Sequence, residues 1–598
     1  MHWFVLPYGF DQDHAKDAHE VVNLRLRFFL NALDSRPELK EKVFDQMVAT
    51  IQHLLDFSFL TEIGVDERSG FIQEFQERLA QKLIPQAVGK NDLKSFVQIA
   101  FDEITEDLLT KIDPAQIAII LELFSKSKYF DLHVWKKQLK ESVFFLVVQV
   151  QADAFSEVFR ERLGVRRIDD SSYFKLNDVS SGLMNQDGFL TVEEMSRADL
   201  LIQSCRNDLT KVIRGFDQEG MSQTLILQVE RIRLQLIRIQ KLIYLLTADF
   251  QQKSWQGKSV FVMHLIEDIQ NSVRRRYGFM HFLTDNLRLT IQKIIRVNVQ
   301  IGDHYIARTQ EQLREIFAHA CGGGAITVIT IYLKLMIAYV GFTGFFGGLM
   351  HSLNYALSFF LIQILHFTLA TKQPASTAAV IAAELDGPKE KLDETLRLMI
   401  KTQVASVVGN LFAVVPLAYV LSYGLQQFFH FSVVNSAKAM SIVESTNILG
   451  PTIVFAVLTG CLLFSASLFG GWFTNWVTYR KIPDHLRRNA RLRKWLKPQG
   501  VEKLAQFVHE NSAAIAANFS LGFLLGMTPE ILAFFSIPLE VRHVTLASGS
   551  LATAVATLDA SVFQTALFWQ AVIGILVVGI LNIFVSFALS LMVARRSR

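Results

Sequence analysis

The sequence predicts an all-α protein in two parts, a cytoplasmic helical bundle region followed by a polytopic transmembrane bundle, on three observations. Apolar stretches of near-bilayer length recur from Gly322 to Val593. Ahead of them, from Asp11 to about Ala318, Leu, Ile, Val and Phe return at three- and four-residue steps with charges between them, which is the period of an amphipathic helix. No Val/Thr-rich alternation bounded by hairpin turns interrupts this first part.

The chain opens Met1-His-Trp-Phe-Val-Leu-Pro-Tyr-Gly-Phe, with no basic n-region and with Pro7 and Gly9 breaking a short apolar run, so no secretory signal is expected. Amphipathic helices are expected over Val21 to Ala32, Lys40 to Phe57, Leu132 to Phe159, Leu225 to Leu246 and Ser259 to Arg296. Turn residues at Gly164 to Asn177 and Gly182 to Gly188 divide this part, giving domains 1–165, 166–318 and 319–598. On the helix after Leu225, Arg231, Arg233, Arg238 and Lys241 read either as a nucleic-acid face or, better supported, as a solvated flank beside an apolar seam. Leu183 to Glu194 meets a calcium-loop pattern at Asn185, Asp187, Gly188, Leu190 and Glu194, but Leu183 stands at the first ligand position and cannot bind a hard cation. The competing expectation is a turn at Asp187-Gly188 leading into a helix capped by Thr191, with Glu194 three residues on.

A spanning helix needs about 20 mostly apolar residues. Six stretches qualify: Ala325 to Val340, Phe345 to Ala370, Ala405 to Leu425, Pro451 to Trp476, Ala513 to Met527 and Thr565 to Val593. The loop after the fourth carries Arg480, Lys481, Arg487, Arg488, Arg491, Arg493, Lys494 and Lys497, and the tail ends Arg595, Arg596, Arg598, whereas the third connection offers only Lys438. The bias of Lys and Arg toward cytoplasmic loops then places both ends in the cytoplasm, which requires an even number of crossings. The stretch from Pro529 to Phe563 is too polar for a seventh span and is expected to re-enter or to lie outside. Lys372-Gln-Pro374 is expected to end the second span, and Gly322 to Gly324 to serve as a close approach or a hinge.

A formal charge of +4 over 598 residues is small, and the densest basic run sits where topology needs one, so nucleic acid is not an expected partner. Three widely spaced cysteines, Cys205, Cys321 and Cys461, suit neither a disulfide framework nor a zinc site. No Gly-x-x-x-x-Gly-Lys-Ser/Thr occurs, and no nucleophile, metal set or acid/base pair stands out, so no cofactor and no enzyme activity are expected. The partners expected are the lipid bilayer and a cytoplasmic protein held through residues 1–318.

Polar residues inside spans are costly and mark function or interhelical hydrogen bonds. On the second span His351, Asn354, Ser358 and His366 fall within about a third of the circumference at the 3.6-residue period. Lys334, Asn410 and Asn582 stand in the first, third and last spans, and Glu530, Glu540, Arg542, His543 and Asp559 flank the small-residue run beginning at Leu546. These are candidates for a polar pathway or for packing, and they frame a choice between a transporter or channel and a membrane-anchored scaffold.

Five blocks carry a resemblance: Gly302-Asp-His-Tyr-Ile-Ala-Arg-Thr, Cys321-Gly-Gly-Gly-Ala-Ile-Thr, the run from Gly347 to Phe359, the run His366-Phe-Thr-Leu-Ala-Thr-Lys-Gln-Pro, and Ile537-Pro-Leu-Glu-Val-Arg-His. Together they resemble the bacterial membrane family called site-specific recombinase. The resemblance implies a multi-pass inner-membrane protein of Gram-negative bacteria, and the family name implies DNA strand exchange. A tyrosine recombinase needs a nucleophilic Tyr downstream of His-x-x-Arg. His485-x-x-Arg488 is present, but the last tyrosine is Tyr479.

Overall fold

The computed structural model describes residues 18–54, 112–277, 306–369, 373–385 and 388–596, with isolated positions between them. All regular structure among them is helical, apart from one isolated bridge between Leu190 and Thr247. The chain divides into two compact units, Met1–Leu287 and Arg288–Arg598.

In the first unit the helices are α1 (Ala18–Asp34), α2 (Pro37–Leu54), α3 (Pro114–Lys126), α4 (Leu132–Ala154), α5 (Glu157–Leu163), α6 (Ser172–Asn185), α7 (Val192–Glu219), α8 (Gln223–Leu245), α9 (Ala248–Gln252) and α10 (Trp255–Tyr277). Most of the helix expected beyond Tyr277 lies outside the described residues. α8 is the core of the unit, because Leu225, Ile232, Leu236, Ile239, Leu242 and Ile243 are buried where it packs on α4 and α7.

That burial overturns both readings for two of the four basic residues on α8, while Arg233 and Lys241 stay partly exposed. Arg231 and Arg238 are neither a nucleic-acid face nor a solvated flank. Arg231 is 7% exposed and its Nε donates to Asp153 Oδ2 at 2.7 Å, with Asp153 itself 5% exposed. Arg238 donates to the Leu60 carbonyl at 3.0 Å. Sequence periodicity marks which side of a helix is apolar, but a helix surrounded by others buries its polar side too, provided each charge finds a partner.

The degenerate calcium loop resolves in favour of the cap. Leu183 is buried inside α6, and Thr191 and Glu194 form a reciprocal capping box at the start of α7. The loop carbonyls of Asp187 and Gln186 accept from Lys136 and Lys140 of α4, so ammonium groups take the place a cation ligand set would face. Burial and the neighbouring Lys140 pull the Lys136 ammonium below its ordinary range.

The second unit holds α11 (Gln310–Val340), α12 (Gly344–Ile364), α13 (Gln373–Glu384), α14 (Lys389–Phe429), α15 (Ser436–Ser445), α16 (Thr452–Tyr479), α17 (Ile482–Arg488), α18 (Ala490–Phe534), α19 (Val544–Thr557) and α20 (Ala566–Arg596). Six of them, α11, α12, α14, α16, α18 and α20, are long and apolar enough to cross a membrane. They cover the six stretches expected, with three corrections of extent. The second span stops at Ile364, because the chain turns through a left-handed residue at His366. The fifth runs on to Phe534, so Pro529 and Glu530 belong to a span and not to the re-entrant stretch. After the second span the chain does not simply leave the bundle, because Gln373 and Pro374 open a further helix, α13, and Pro is well suited to a first helical turn. Lys372 lies outside the described residues.

α13 and α19 are too short to span. Both are enclosed: Thr377 to Ala382 are all buried, as are Val544 to Leu546 and Ser548 to Ala556. Of the stretch expected between Pro529 and Phe563 to re-enter or to lie outside, α19 forms the middle as a short enclosed helix.

These elements repeat. Spans one to three with α13 before the third form one set, and spans four to six with α19 before the sixth form another. The packing follows the same rule in both. α11 packs on α14 and α16 on α20, while α13 packs on α20, α14 and α16 and α19 packs on α14, α20 and α11. Exchanging span one with four and three with six converts one list into the other, apart from α15, which also packs on α19. The second spans of the two sets, α12 and α18, pack on each other. An added Cβ at Gly522 would lie 2.3 Å from Ala356 N and one at Gly526 2.3 Å from Ser352 N, so the backbones touch here. Ser352 and Gly522 are 170 positions apart, as are Ala356 and Gly526, so each contact maps onto the other. With three crossings per set, the second set enters the membrane from the opposite side: an inverted repeat.

Two outcomes follow from the packing. Asp153→Ala leaves Arg231 buried without its carboxylate and should destabilise the first unit by about 3–5 kcal/mol, read as a lowered melting temperature of the purified full-length protein; an unchanged melt contradicts it. Gly526→Leu should abolish monodisperse protein in detergent, whereas Gly424→Ala, where an added Cβ meets nothing within 4 Å, should be neutral or stabilising.

Candidate functional site

The site is built around the entrances to the two short helices. Both follow the same reversal. Phe367 N–H donates to Ile362 O at 2.9 Å and Ile537 N–H to Leu532 O at 2.8 Å, closing the ends of α12 and α18 in the same way. The residues before them, His366 and Ser536, have φ of 57° and 58° and are again 170 positions apart.

An asparagine from the third span of each repeat then fixes the segment. Asn410 Nδ2 donates to Ala320 O on α11 at 2.5 Å and to Thr368 O at 2.9 Å. Asn582 Nδ2 donates to Ala456 O on α16 at 3.0 Å, and its Oδ1 accepts from Val544 N–H, the first residue of α19, at 3.2 Å. Each amide thus ties the first span of its repeat to the segment that leads into the short helix. Room for this comes from Gly323 and Gly324, where an added Cβ would lie 2.3 Å from Thr368 O and 2.4 Å from Asn410 O. Close approach, and not a hinge, is what the glycine run serves, since α11 continues unbroken through it.

The polar stripe on α12 separates into parts. Asn354 Nδ2 donates to Thr330 O at 2.9 Å and Ser358 shares a hydrogen bond with the Thr330 hydroxyl, so both join α12 to α11. His351 stacks on Tyr355 at 6.3 Å, and Tyr355 on Phe359 at 6.4 Å. Phe359 in turn meets the His543 ring at 6.1 Å. His366 lies beyond the helix end and leaves the stripe. With Arg308, Glu315, His319, Gln363 and Thr368 it lines a cavity of about 660 Å³ beside the segment entering α13.

At the other entrance a charged group assembles. Arg542 pairs with Glu540 at 2.7 Å, receives the Phe455 ring at 5.6 Å, and donates its backbone N–H to Thr459 Oγ1 at 2.7 Å. Lys334 is half-buried on α11, one turn after Thr330. Glu530 packs over Gly348 of α12, and Asp559 is exposed beyond the far end of α19. Sequence reasoning selected Asn410, Asn582, Glu540, Arg542 and His543, which the fold brings to these entrances. It missed Thr330 and Thr459, because a lone Thr in an apolar helix gives no sign of the partner it meets, and Thr368, which takes part through its backbone carbonyl.

The basic loop forms α17 and the start of α18, bracketed by Lys481 and Lys497 in left-handed conformations with φ of 48° and 57°. Arg487 bonds Glu502 at 3.0 Å and Asp484 at 2.9 Å, which holds its guanidinium above its ordinary range. Arg491, Arg493 and Lys494 are exposed around Trp495, which is 89% exposed, while Arg480 caps the end of α16 and Arg488, also exposed, ends α17. Among the described residues no group of three or more His, Cys, Asp or Glu is placed to hold a metal.

The equivalence of the two asparagines is testable. Asn410→Leu and Asn582→Leu each strand backbone groups inside the bundle and should lower stability by about 1–3 kcal/mol, to similar extents, in melting curves of the detergent-purified protein. A loss confined to one of the two contradicts the equivalence.

No curated protein and no solved structure shows a significant match to the chain. The family model described as site-specific recombinase matches residues 8–598, nearly the whole length. The chain belongs to the site-specific recombinase family.

Proposed function

We propose that this protein moves a small solute across the bacterial inner membrane, along the boundary between the two inverted repeats, with both termini in the cytoplasm. The observation that carries the reading is the pair of enclosed short helices, α13 and α19, entering from opposite sides and each secured by an asparagine of its own repeat. Broken helices in corresponding places of two inverted halves are the architecture that builds binding sites within secondary transporters. The orientation rests on the basic residues of α17 and the start of α18 and on Arg595 and Arg596, which lie on one side of a six-span chain. The cavity at His319 and His366 then opens to the cytoplasm, and the Arg542 entrance faces the periplasm.

A second reading, a scaffold that recruits a cytoplasmic protein through residues 1–318, draws on Val192 and Leu200 of α7, which are 74% and 73% exposed. DNA strand exchange has less behind it. His485 and Arg488 sit on the short α17, and no tyrosine follows Tyr479 to act as nucleophile.

The test is accessibility from the two sides. In a background with Cys205, Cys321 and Cys461 replaced by Ala, single cysteines at Thr368 and Leu539 report the two entrances to a membrane-impermeant maleimide in oriented vesicles. Opposite changes in labelling at the two positions as a transmembrane salt gradient is imposed and reversed support alternating exposure. Labelling that never varies, with no solute flux into proteoliposomes, removes the transport reading and leaves the scaffold.

A further inference from the structure

We propose that the cavity beside the entrance to α13 binds a small zwitterion, a molecule such as a dipeptide with an ammonium at one end and a carboxylate at the other. This deepens the transport reading by naming its solute class, and rests on that reading only for passage across the bilayer. The cavity holds about 660 Å³, within the range of about 300–1,000 Å³ usual for small-molecule sites. Its lining brings together one permanent charge of each sign, Arg308 and Glu315, with two imidazoles, His319 and His366, and the amide of Gln363. Two helix ends place them. Glu315 and His319 stand four residues apart on α11 and so share a face. Gln363 lies on the last turn of α12, and the left-handed turn at His366 follows it.

The backbone that carries the positive charge is held on both sides. Arg308 N–H donates to Gln312 Oε1 at 2.8 Å and Thr309 N–H to the same oxygen at 3.2 Å, while Ala307 N–H donates to Thr402 Oγ1 of α14 at 3.0 Å. Glu315 has no ion-pair partner among the described residues, so its carboxylate is open to a ligand. Thr309 caps α11 and Glu315 lies six residues on. At 1.5 Å per residue the backbones carrying the two charges are therefore roughly 9 Å apart. That spacing suits the separated ends of a dipeptide better than the adjoining charges of an α-amino acid. Behind the lining, Asn518 Nδ2 donates to Gln363 Oε1 at 3.3 Å, which leaves the Gln363 N–H groups as the end to meet a carboxylate. Asn518 Oδ1, on a residue 1% exposed, has no partner. A buried acceptor without a donor is costly, so its place behind this wall argues for a polar occupant and against an apolar one. A simple anion would leave Glu315 unmatched and a simple cation would leave Arg308 unmatched, whereas a zwitterion answers both.

The experiment uses the full-length protein in a neutral maltoside detergent, with binding followed by titration calorimetry at constant ionic strength. Dialanine is the zwitterionic probe, succinate the dianion and putrescine the dication. Saturable binding of dialanine is expected, at least tenfold tighter than that of either comparison solute. Arg308→Gln and Glu315→Gln, both at exposed positions of the mouth where folding does not depend on them, should each weaken dialanine tenfold or more. Their selectivities should move in opposite directions, Arg308→Gln toward putrescine and Glu315→Gln toward succinate. Glu311→Gln, exposed on the first turn of α11 and outside the lining, should leave the affinity unchanged. The proposal is overturned by absence of saturable dialanine binding, by tighter binding of succinate or putrescine to the unaltered protein, or by equal affinities in the lining variants and Glu311→Gln. Flux is read separately in phosphatidylcholine proteoliposomes. Dialanine uptake supports site and transport together. Binding without flux keeps the site and removes transport, and flux of another solute with no dialanine binding keeps transport and removes the zwitterion.

Discussion

A helix that begins inside a lipid-solvated bundle leaves its first backbone N–H groups, and the carbonyls of the segment before it, with no water to pair with. The second unit of this protein contains two such helices, and their anchoring is the constraint to which the rest of the unit conforms. Asn410 and Asn582 meet it by the same device, a side-chain amide that bonds both the first span of the repeat and the segment leading into the short helix. The close approach of α11 and α14 over Gly323 and Gly324, and of α16 and α20 over Gly460, brings the amides within reach. Without these glycines the asparagines would stand too far from the carbonyls they bond. The small residues and the polar ones are therefore one mechanism and not two.

What the sequence made legible, and what it did not, follows from the range of each signal. Spans are written in contiguous composition, so all six were readable, and errors were confined to their ends, where Pro529 and His366 are locally ambiguous. The short helix α19 was readable as an irregular, small-residue interruption. α13 was not, because Pro374 reads equally as a helix stop and as a first-turn residue. The repeat was hidden for a different reason. What the two halves share is geometry imposed on the backbone, and at the shift of 170 positions only scattered residues agree in type, among them Leu369 with Leu539 and Lys372 with Arg542. The shift also changes along the chain: it is 136 positions between Ala320 and Ala456, and the 34 extra residues are accounted for by α17 and the basic start of α18. An insertion of that size conceals a repeat from any fixed-period comparison.

The first unit shows the complementary limit. A charge on an amphipathic helix is read as solvent-facing because that is its usual environment, yet Arg231 and Arg238 are buried in α8 with partners more than 70 positions away in sequence, Asp153 and Leu60. Nothing local to α8 distinguishes those arginines from Arg233, which pairs with Glu230 one turn away at the half-exposed surface. A buried ion pair adds little stability over an apolar pair of the same shape, but it enforces one arrangement, since any displacement strands a charge. The capping box at Thr191 and Glu194, by contrast, lies within four residues and was legible as it stands.

The two entrances of the second unit are equivalent by construction and different in fact. At the α13 entrance His319, Gln363 and His366 border a cavity of about 660 Å³. The positions related to His319 and His366 by the repeat are Phe455 and Ser536, and there the space is occupied: the Arg542 guanidinium lies over the Phe455 ring and bonds inward to the carbonyl of Ser445. Two halves with the same connections and the same amide anchors have no topological reason to be open at one end and filled at the other. Where inverted halves differ in this way, the difference defines a state, and exchanging the conformations of the two halves defines its counterpart. On the transport reading the structure is then the form open at the α13 side. Arg542, over the Phe455 ring and bonded to Ser445 O, closes the other side.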